Sequence, residues 1–314
     1  MKHSPSTREK VLIWFLWGGA IFLTLINWMD GRGIWGDLTT HFPAHFWVAF
    51  LLFGAWFLFR RQWWMLIVNL VCLGWYSATL APFYIRQGES PQSVQLRVAA
   101  ANIYRQNVDC RLLIEWIAAE QPDIILLTEA GPPHVQVLDS VWTAYPFRVA
   151  VPLEGYFGMV LYSRMPILEA ETPWIVNAPV ATIFARIQIG VDTLDLWGVH
   201  PPSPPRVKES IWRNAYFDNL ARHLGRYGPH ARIVVGDFNL TPTNQRFRDF
   251  QEATGLRDSR IGNGLIPSWP AGLSGIGIAL DHALISPDLL VGPRRGPDLG
   301  SDHLPMIYDL GWKK

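Results

Sequence analysis

Apolar positions are distributed very unevenly along this chain. Val11 to Met29, Phe42 to Phe59 and Trp63 to Pro82 are three almost uncharged runs, each close to the ~20 residues a helix needs to cross a bilayer. After about residue 95 the apolar segments become short and alternate in period. "VQLRVAAANI" predicts a strand, "CRLLIEWIAAE" a helix with Leu112, Leu113, Trp116 and Ile117 on one face and Asp109 as its cap, and "DIILLTEA" a second strand. "GMVLYS" predicts a third strand. "TIFARIQIG" and "TLDLWGVH" alternate with period two around Gly190-Val191-Asp192, as a hairpin does. A helix over Arg206 to Arg226, the strand "RIVVGD", the short helix "TNQRFRDFQEAT" and the strands "LDHALIS" and "PMIYDL" complete the pattern. Mixed strands and helices with hairpins predict a layered α/β or α+β domain.

Composition sharpens this division. Charged residues make up 17% of 314 positions, below the usual quarter, and the deficit lies in the first ninety residues. Trp14, Trp17, Trp28, Trp47, Trp63, Trp64 and Trp75 lie in or near the apolar runs, where interfacial aromatic anchors belong. The expected organisation is a membrane anchor of three transmembrane helices over residues 1–86, a polar linker at 87–94 around "RQGESPQS", and one globular domain over 95–314. Lys2, Arg8 and Lys10 precede the first run, and Arg60 and Arg61 join the second to the third. The positive-inside rule then puts the amino terminus in the cytoplasm, and three crossings put the domain on the far side. In a bacterium this is an inner-membrane protein with a periplasmic or extracellular domain. Cys72 and Cys110 are the two cysteines, and Cys72 falls in an apolar run, so no disulfide is expected within the domain.

Polar groups collect at the predicted strand ends: Asn102, Glu129, His200, Asp237 with Asn239, Asp281, and Asp302 with His303. Taken singly, each has an ordinary structural explanation. Asp237 and Asn239 also suit an Asx-turn, and "GSDHLP" a polar turn. Asp281 beside the apolar "HALI" is different, because a carboxylate next to a core needs a partner.

The ordered segments "AAANIYRQN", "DIILLTEA", "GVHPPSP", "VVGDFN", "LDHALIS" and "GSDHLP" resemble the endonuclease/exonuclease/phosphatase superfamily, which contains DNase I-like nucleases, inositol-polyphosphate phosphatases and neutral sphingomyelinases. The resemblance covers the domain and none of the apolar runs. It implies a DNase I-like sandwich of two sheets with flanking helices, preceded here by the three membrane helices, and a site where strand ends of both sheets meet. It also implies Mg²⁺ as cofactor, with Mn²⁺ as a substitute, held by Glu129 with Asn102 and Asp302 beside it. An oxygen-only donor set suits such an ion. Asp237 would accept a proton from water. Asn239 would donate to a phosphate oxygen, as i and i+2 in an extended chain point the same way. His303 would contact the phosphate, held by Asp281, and His200 would stabilise phosphate charge or protonate the leaving group. Sequence alone leaves the base open between Asp237 and His303.

Arg295 is a candidate substrate contact. Arg206, Arg213 and Arg294 fit surface solvation better. Residues 95–314 carry about as many acids as bases, which argues against a tight polyanion binder. The expected activity is metal-dependent phosphodiester hydrolysis of nucleic acid or a phospholipid headgroup. The alternatives are a phosphomonoesterase of a soluble ester and an inactive membrane scaffold that kept the fold. The expected partners are the lipid bilayer and the phosphodiester substrate. "AGLSGIGIA", Ala271 to Ala279, reads as a glycine turn or an apolar rim touching lipid.

Overall fold

The computed structural model describes residues 7–29, 34–85, 90–203, 207–228, 230–273 and 275–313. Lys2, the stretch from Asp30 to Gly33, all of "RQGE" and Arg206 lie outside the described residues. Contacts divide the chain into two compact units, Met1–Tyr84 with Thr243–Gln245, and Ile85–Pro242 with Arg246–Lys314.

In the first unit the apolar runs form helices α1 (Thr7–Met29), α3 (Pro43–Phe59) and α4 (Trp63–Tyr84). A one-and-a-half-turn helix, α2 (Ile34–Thr39), occupies part of what the sequence offered as a connection. By length and apolar composition Thr7–Trp28 and Trp63–Tyr84 are long enough to cross a membrane, while Pro43–Phe59 is a shorter apolar helix. Trp17, Phe50, Phe57, Met65 and Tyr76 form the interior. Asn69 donates its amide to the Phe50 carbonyl at 2.8 Å, across Gly54, where a Cβ would come within 3.0 Å of that amide.

The second unit holds two six-stranded sheets. The first contains β1 (Leu96–Asn102), β2 (Ile124–Thr128), β3 (Phe147–Val151) and β4 (Met159–Ser163). The second contains β5 (Ile167–Glu171), β6 (Thr182–Ile189), β7 (Asp192–Val199), β8 (Ala231–Asp237), β9 (Arg257–Asp258) and β10 (Asp281–Ile285). The chain then returns to the first sheet with β11 (Leu289–Arg295) and β12 (Met306–Trp312), giving orders β11-β12-β1-β2-β4-β3 and β5-β6-β7-β8-β10-β9.

The period of two assigns each side chain to a layer. Leu96, Val98, Ile124, Leu126, Leu196, Ile233, Val235, Ala283 and Ile285 fill the space between the sheets. Their neighbours Ala99, Ala101, Ile125 and Leu127 face outward with Leu113, Trp116 and Ile117 of α5 (Arg111–Glu120) and Leu138 of α6 (Pro132–Val141). On the other outer face Trp197, Val234 and Leu284 pack with Tyr216, Phe217 and Leu220 of α7 (Val207–Leu224) and Phe247 and Phe250 of α8 (Gln245–Thr254). Central strands buried on both faces read as continuous apolar runs. That is why the sequence revealed them and missed β3, β5, β9 and β11 at or near the edges. β5 exposes Glu169 and Glu171, and β11 contains Pro293 on the edge of its sheet, where a missing N–H is tolerated. Asp109 accepts the N–H of Arg111 at 3.0 Å, while the cap position of α5 is Cys110, without a side-chain cap.

Two parallel pairs set the location of the site. β1 pairs with β2 and β7 with β8, each joined by a helical crossover. Their carboxyl ends therefore lie together within each sheet. The antiparallel strands β10 and β12 begin at that same end, with Asp281 opposite Asp237 and Met306 opposite Ala100. At Gly236 the backbone has φ 140°, and a Cβ would sit 2.1 Å from the Val199 carbonyl oxygen on the neighbouring strand. Gly190, in the β6–β7 turn at φ 63°, has nothing within 4 Å of such a Cβ. Gly236→Ala is therefore expected to cost about 3 kcal/mol or more, and Gly190→Ala only about 1 kcal/mol. Denaturant unfolding followed by tryptophan fluorescence separates the two, and equal losses would contradict the packing at Val199.

Candidate active site

Asn102 ends β1 and Glu129 follows β2 directly, one strand apart in the same sheet. Asn102 donates its amide to Glu129 Oε1 at 3.1 Å and to Asp237 Oδ2 at 3.2 Å. One amide thus links a carboxylate of the first sheet to one of the second. The Asn102 oxygen accepts the N–H of Tyr104 at 3.0 Å. Glu129 Oε2 accepts the N–H of Arg105 at 3.0 Å. Burial holds the Glu129 carboxyl above its usual range, against those two hydrogen bonds. Glu129 also sits at φ 60°, an uncommon backbone state outside glycine.

Asp237 is 1% exposed. Its Oδ2 lies 3.6 Å from His200 Nε2 and 3.6 Å from His303 Nε2. Burial raises its pKa, opposed by both imidazoles. His303 Nδ1 hydrogen-bonds Asp281 Oδ2 at 2.8 Å. Burial alone would lower the His303 pKa, yet Asp281 and Asp237 together outweigh it and push it up to about 10. Burial lowers His200, whose ring centre is 5.5 Å from that of Phe157. At neutral pH the two histidines beside Asp237 therefore differ, His303 charged and His200 neutral.

Asn239 does not follow the strand rule expected of it. The strand stops at Asp237, and Asn239 takes φ 50°. Its N–H bonds Asp237 Oδ1 at 2.9 Å, so the pair forms an Asx-turn. Its side-chain amide donates one hydrogen to the Pro201 carbonyl at 3.0 Å, next to His200. Local turn geometry, not the period of two, brings Asn239 to the site. Asp302 is exposed, accepts the Trp269 indole N–H at 3.4 Å and acts electrostatically on Glu129.

The basic candidates separate. Arg295 is exposed and donates to the Pro267 carbonyl at 3.0 Å. Arg294 is ion-paired with Glu120 and Asp309. Arg213 is buried on α7, which corrects its expected solvation, and one of its N–H groups bonds Asn214.

Several positioning groups were missed in the sequence. Ser301 donates to the Asn102 carbonyl at 2.7 Å and accepts the His303 N–H at 3.1 Å, tying the last loop to β1. Ser268 accepts the N–H groups of Leu280 and Asp281, both at 3.1 Å. Buried Arg260 bonds the Asp281 carbonyl and the His282 ring. Arg105 lies over the Tyr156 ring at 5.4 Å. Ser301 was legible only as part of a polar turn and Ser268 not at all, because nothing local names their distant partners.

Asp237, Asp281 and His303 offer ligand atoms within 4.8 Å of one another. His303 brings a nitrogen donor to that group, which suits a hard divalent cation less well than oxygen donors do. The donors around Glu129 suit a hard divalent cation better. They are a buried carboxylate, a neighbouring carboxylate at Asp302 and the oxygen of Asn102, which now accepts the N–H of Tyr104.

Because the folded state holds the His303 proton above its unfolded value, this contribution to stability is full below about 6.5 and fades as pH rises towards about 10. Asp281→Asn is expected to lower the His303 pKa by about one unit or more, read by NMR titration of its ring. An unchanged value would remove Asp281 as its partner.

Comparison with known proteins bears on family and fold. A profile of the Endonuclease/Exonuclease/phosphatase family matches residues 99–303. No curated protein matches the chain. Among solved structures, D. rerio TDP2 complexed with single strand DNA product has TM-score 0.59 and 17% identity, over 69% of this chain and 98% of that one. A Bacteroides thetaiotaomicron mannosyl-6-phosphatase has TM-score 0.56 and 17% identity, over 69% and 100%. The human Nocturnin catalytic domain with bound sulfate anion has TM-score 0.56 and 19% identity, over 69% and 94%. At these identities the likeness shows a shared fold. With the family profile running from β1 to His303, about two thirds of the sequence, the chain belongs to the Endonuclease/Exonuclease/phosphatase family.

Proposed function

We propose that this protein is a membrane-anchored hydrolase that cleaves phosphodiesters with a divalent cation and water. The observation that carries the reading is the placement of Asp237, with an imidazole 3.6 Å away on each side and the Asn102 amide bridging it to Glu129. One relative in fold is described as complexed with a single strand DNA product and another as a mannosyl-6-phosphatase, which supports phosphate-ester chemistry.

Bound by Glu129 with Asn102 and Asp302 beside it, Mg²⁺ or Mn²⁺ would neutralise charge on the phosphate. Asp237 Oδ2 accepts the proton of the attacking water, since burial raises its basicity. His303 already carries a proton, so it donates from Nε2 to a phosphate oxygen while Asp281 fixes its ring through Nδ1. Asn239 offers the side-chain N–H that Pro201 leaves open. Neutral His200 hydrogen-bonds the departing oxygen through Nε2.

The anchor reading rests on helices that expose apolar surface. Only 11% and 22% of the most apolar windows of α1 and α4 are buried, whereas a core helix of a soluble protein is mostly buried. With α3 as a third crossing, the amino terminus is cytoplasmic and the catalytic domain lies on the opposite side of the membrane.

The protein is expected to hydrolyse bis(p-nitrophenyl) phosphate with Mg²⁺ or Mn²⁺ and to stop on addition of EDTA. Asp237→Asn and His303→Ala should each lower kcat by about 10²- to 10⁴-fold. Wild-type rates in either variant would remove these roles. A periplasm-active reporter fused to the carboxyl terminus should be active, and a cytoplasmic signal would contradict the three-crossing topology.

A further inference from the structure

The longest stretch without Asp, Glu, Lys or Arg after residue 95 runs from Ile261 to Leu280, 20 residues. It contains five glycines and leads directly into Asp281. Most of the uncharged β-strand sequence in this domain is buried, but this segment exposes three of its large apolar side chains. Trp269 is 36%, Leu273 54% and Ile276 65% exposed.

The segment is fastened to the site at several points. Ser268 holds the N–H of Asp281, and its own carbonyl accepts the N–H of Leu304 at 2.8 Å. The N–H of Ala271 bonds the Asp302 carbonyl at 2.8 Å, and the Trp269 indole reaches the Asp302 carboxylate. Trp269 and Ile278 form a β-bridge. Gly277 permits this close approach, since a Cβ there would lie 2.5 Å from the Trp269 carbonyl oxygen. The exposed apolar side chains are therefore carried on a rim anchored to the residues that handle the phosphate.

A rim built for nucleic acid would carry several Lys and Arg; residues 261–280 contain none, and Arg295, which donates to the Pro267 carbonyl, is a single base at its edge. A small soluble phosphoester needs no exposed Trp, Leu and Ile beside its pocket. A lipid surface does, because apolar side chains gain by leaving water at the headgroup boundary. Only 11 residues separate Tyr84, the end of α4, from Leu96, the start of β1, a reach of at most about 40 Å. A domain tethered in this way to a membrane-spanning α4 works at a bilayer. We infer that Trp269, Leu273 and Ile276 form an interfacial rim that seats the catalytic pocket on a phospholipid bilayer, and that the substrate is a phosphodiester of a glycerophospholipid headgroup.

This inference rests on the hydrolytic reading above and narrows its substrate class. In the step it implies, the oxygen of water bonds to phosphorus and one ester P–O bond breaks. The water proton taken by Asp237 ends on the departing oxygen, and the products are a phosphomonoester and an alcohol.

The test uses the full chain in proteoliposomes of phosphatidylethanolamine and phosphatidylglycerol. The double variant Leu273→Asp, Ile276→Asp should slow release of phosphomonoester or alcohol from these lipids by about tenfold or more. Its hydrolysis of bis(p-nitrophenyl) phosphate in the same vesicles should stay within about twofold of wild type. An unchanged lipid rate, equal loss on both substrates, or a wild type that cleaves DNA and not these lipids would overturn the inference. A second readout does not depend on turnover. Leu273→Cys, with Cys72 and Cys110 replaced by alanine, carries an environment-sensitive fluorophore whose emission should shift blue and be quenched by brominated lipid. A water-like spectrum, unquenched, would overturn the rim. Failure to hydrolyse the soluble diester would instead count against the catalytic reading, with the fluorophore still deciding the rim.

Discussion

Burying Asp237 at the seam of two sheets is the constraint on which the rest of the site depends. A carboxylate taken out of water is costly unless hydrogen bonds and opposite charge compensate it. Here the compensation comes from far along the chain: the Asn102 amide from β1, the Asn239 N–H from the following turn, and imidazoles that follow β7 and precede β12. Each of these groups is in turn fixed by another. Ser301 ties the His303 loop to the Asn102 carbonyl, Asp281 orients the His303 ring, and Ser268 and Arg260 hold the main chain of Asp281. Removing one member leaves a buried polar group unpaired, so the site is specified as a network.

The fold creates this seam without special devices. Two parallel strand pairs, one in each sheet, bring the carboxyl ends of β1, β2, β7 and β8 to the site, and the antiparallel β10 and β12 start there. Left-handed backbone also occurs at this end. Glu129 and Asn239 occupy left-handed backbone, and Gly236 lies against the Val199 carbonyl. Such conformations persist only where the surroundings over-determine them, as the hydrogen bonds to Glu129 and Asp237 do.

Much of this was legible before the structure, for identifiable reasons. Central strands such as "IILLT" and "RIVVGD" are apolar on both faces and stand out. The polar residues that interrupt them at strand ends are the residues that converge. Legibility fell where the information is not local. The edge strands β3, β5 and β11 are half-polar and look like loops. Asn239 looked like a period-two partner of Asp237, but a left-handed turn places it. Ser268, Ser301 and Arg260 matter through partners up to about two hundred positions away, and Arg213 is buried where its charge suggested solvent. The uncharged stretch before Asp281 was visible as composition, but its attachment to Asp302 was not.

The proposed chemistry places a hard cation beside Glu129 and leaves the Asp281–His303 pair as a hydrogen-bonded unit. Anomalous diffraction from crystals of the protein soaked in Mn²⁺ tests this most directly. One peak within coordination distance of the Glu129 carboxylate, about 2.1 Å from its nearest oxygen, is the predicted result. A peak only between Asp281 and His303, or none at saturating Mn²⁺, would contradict it.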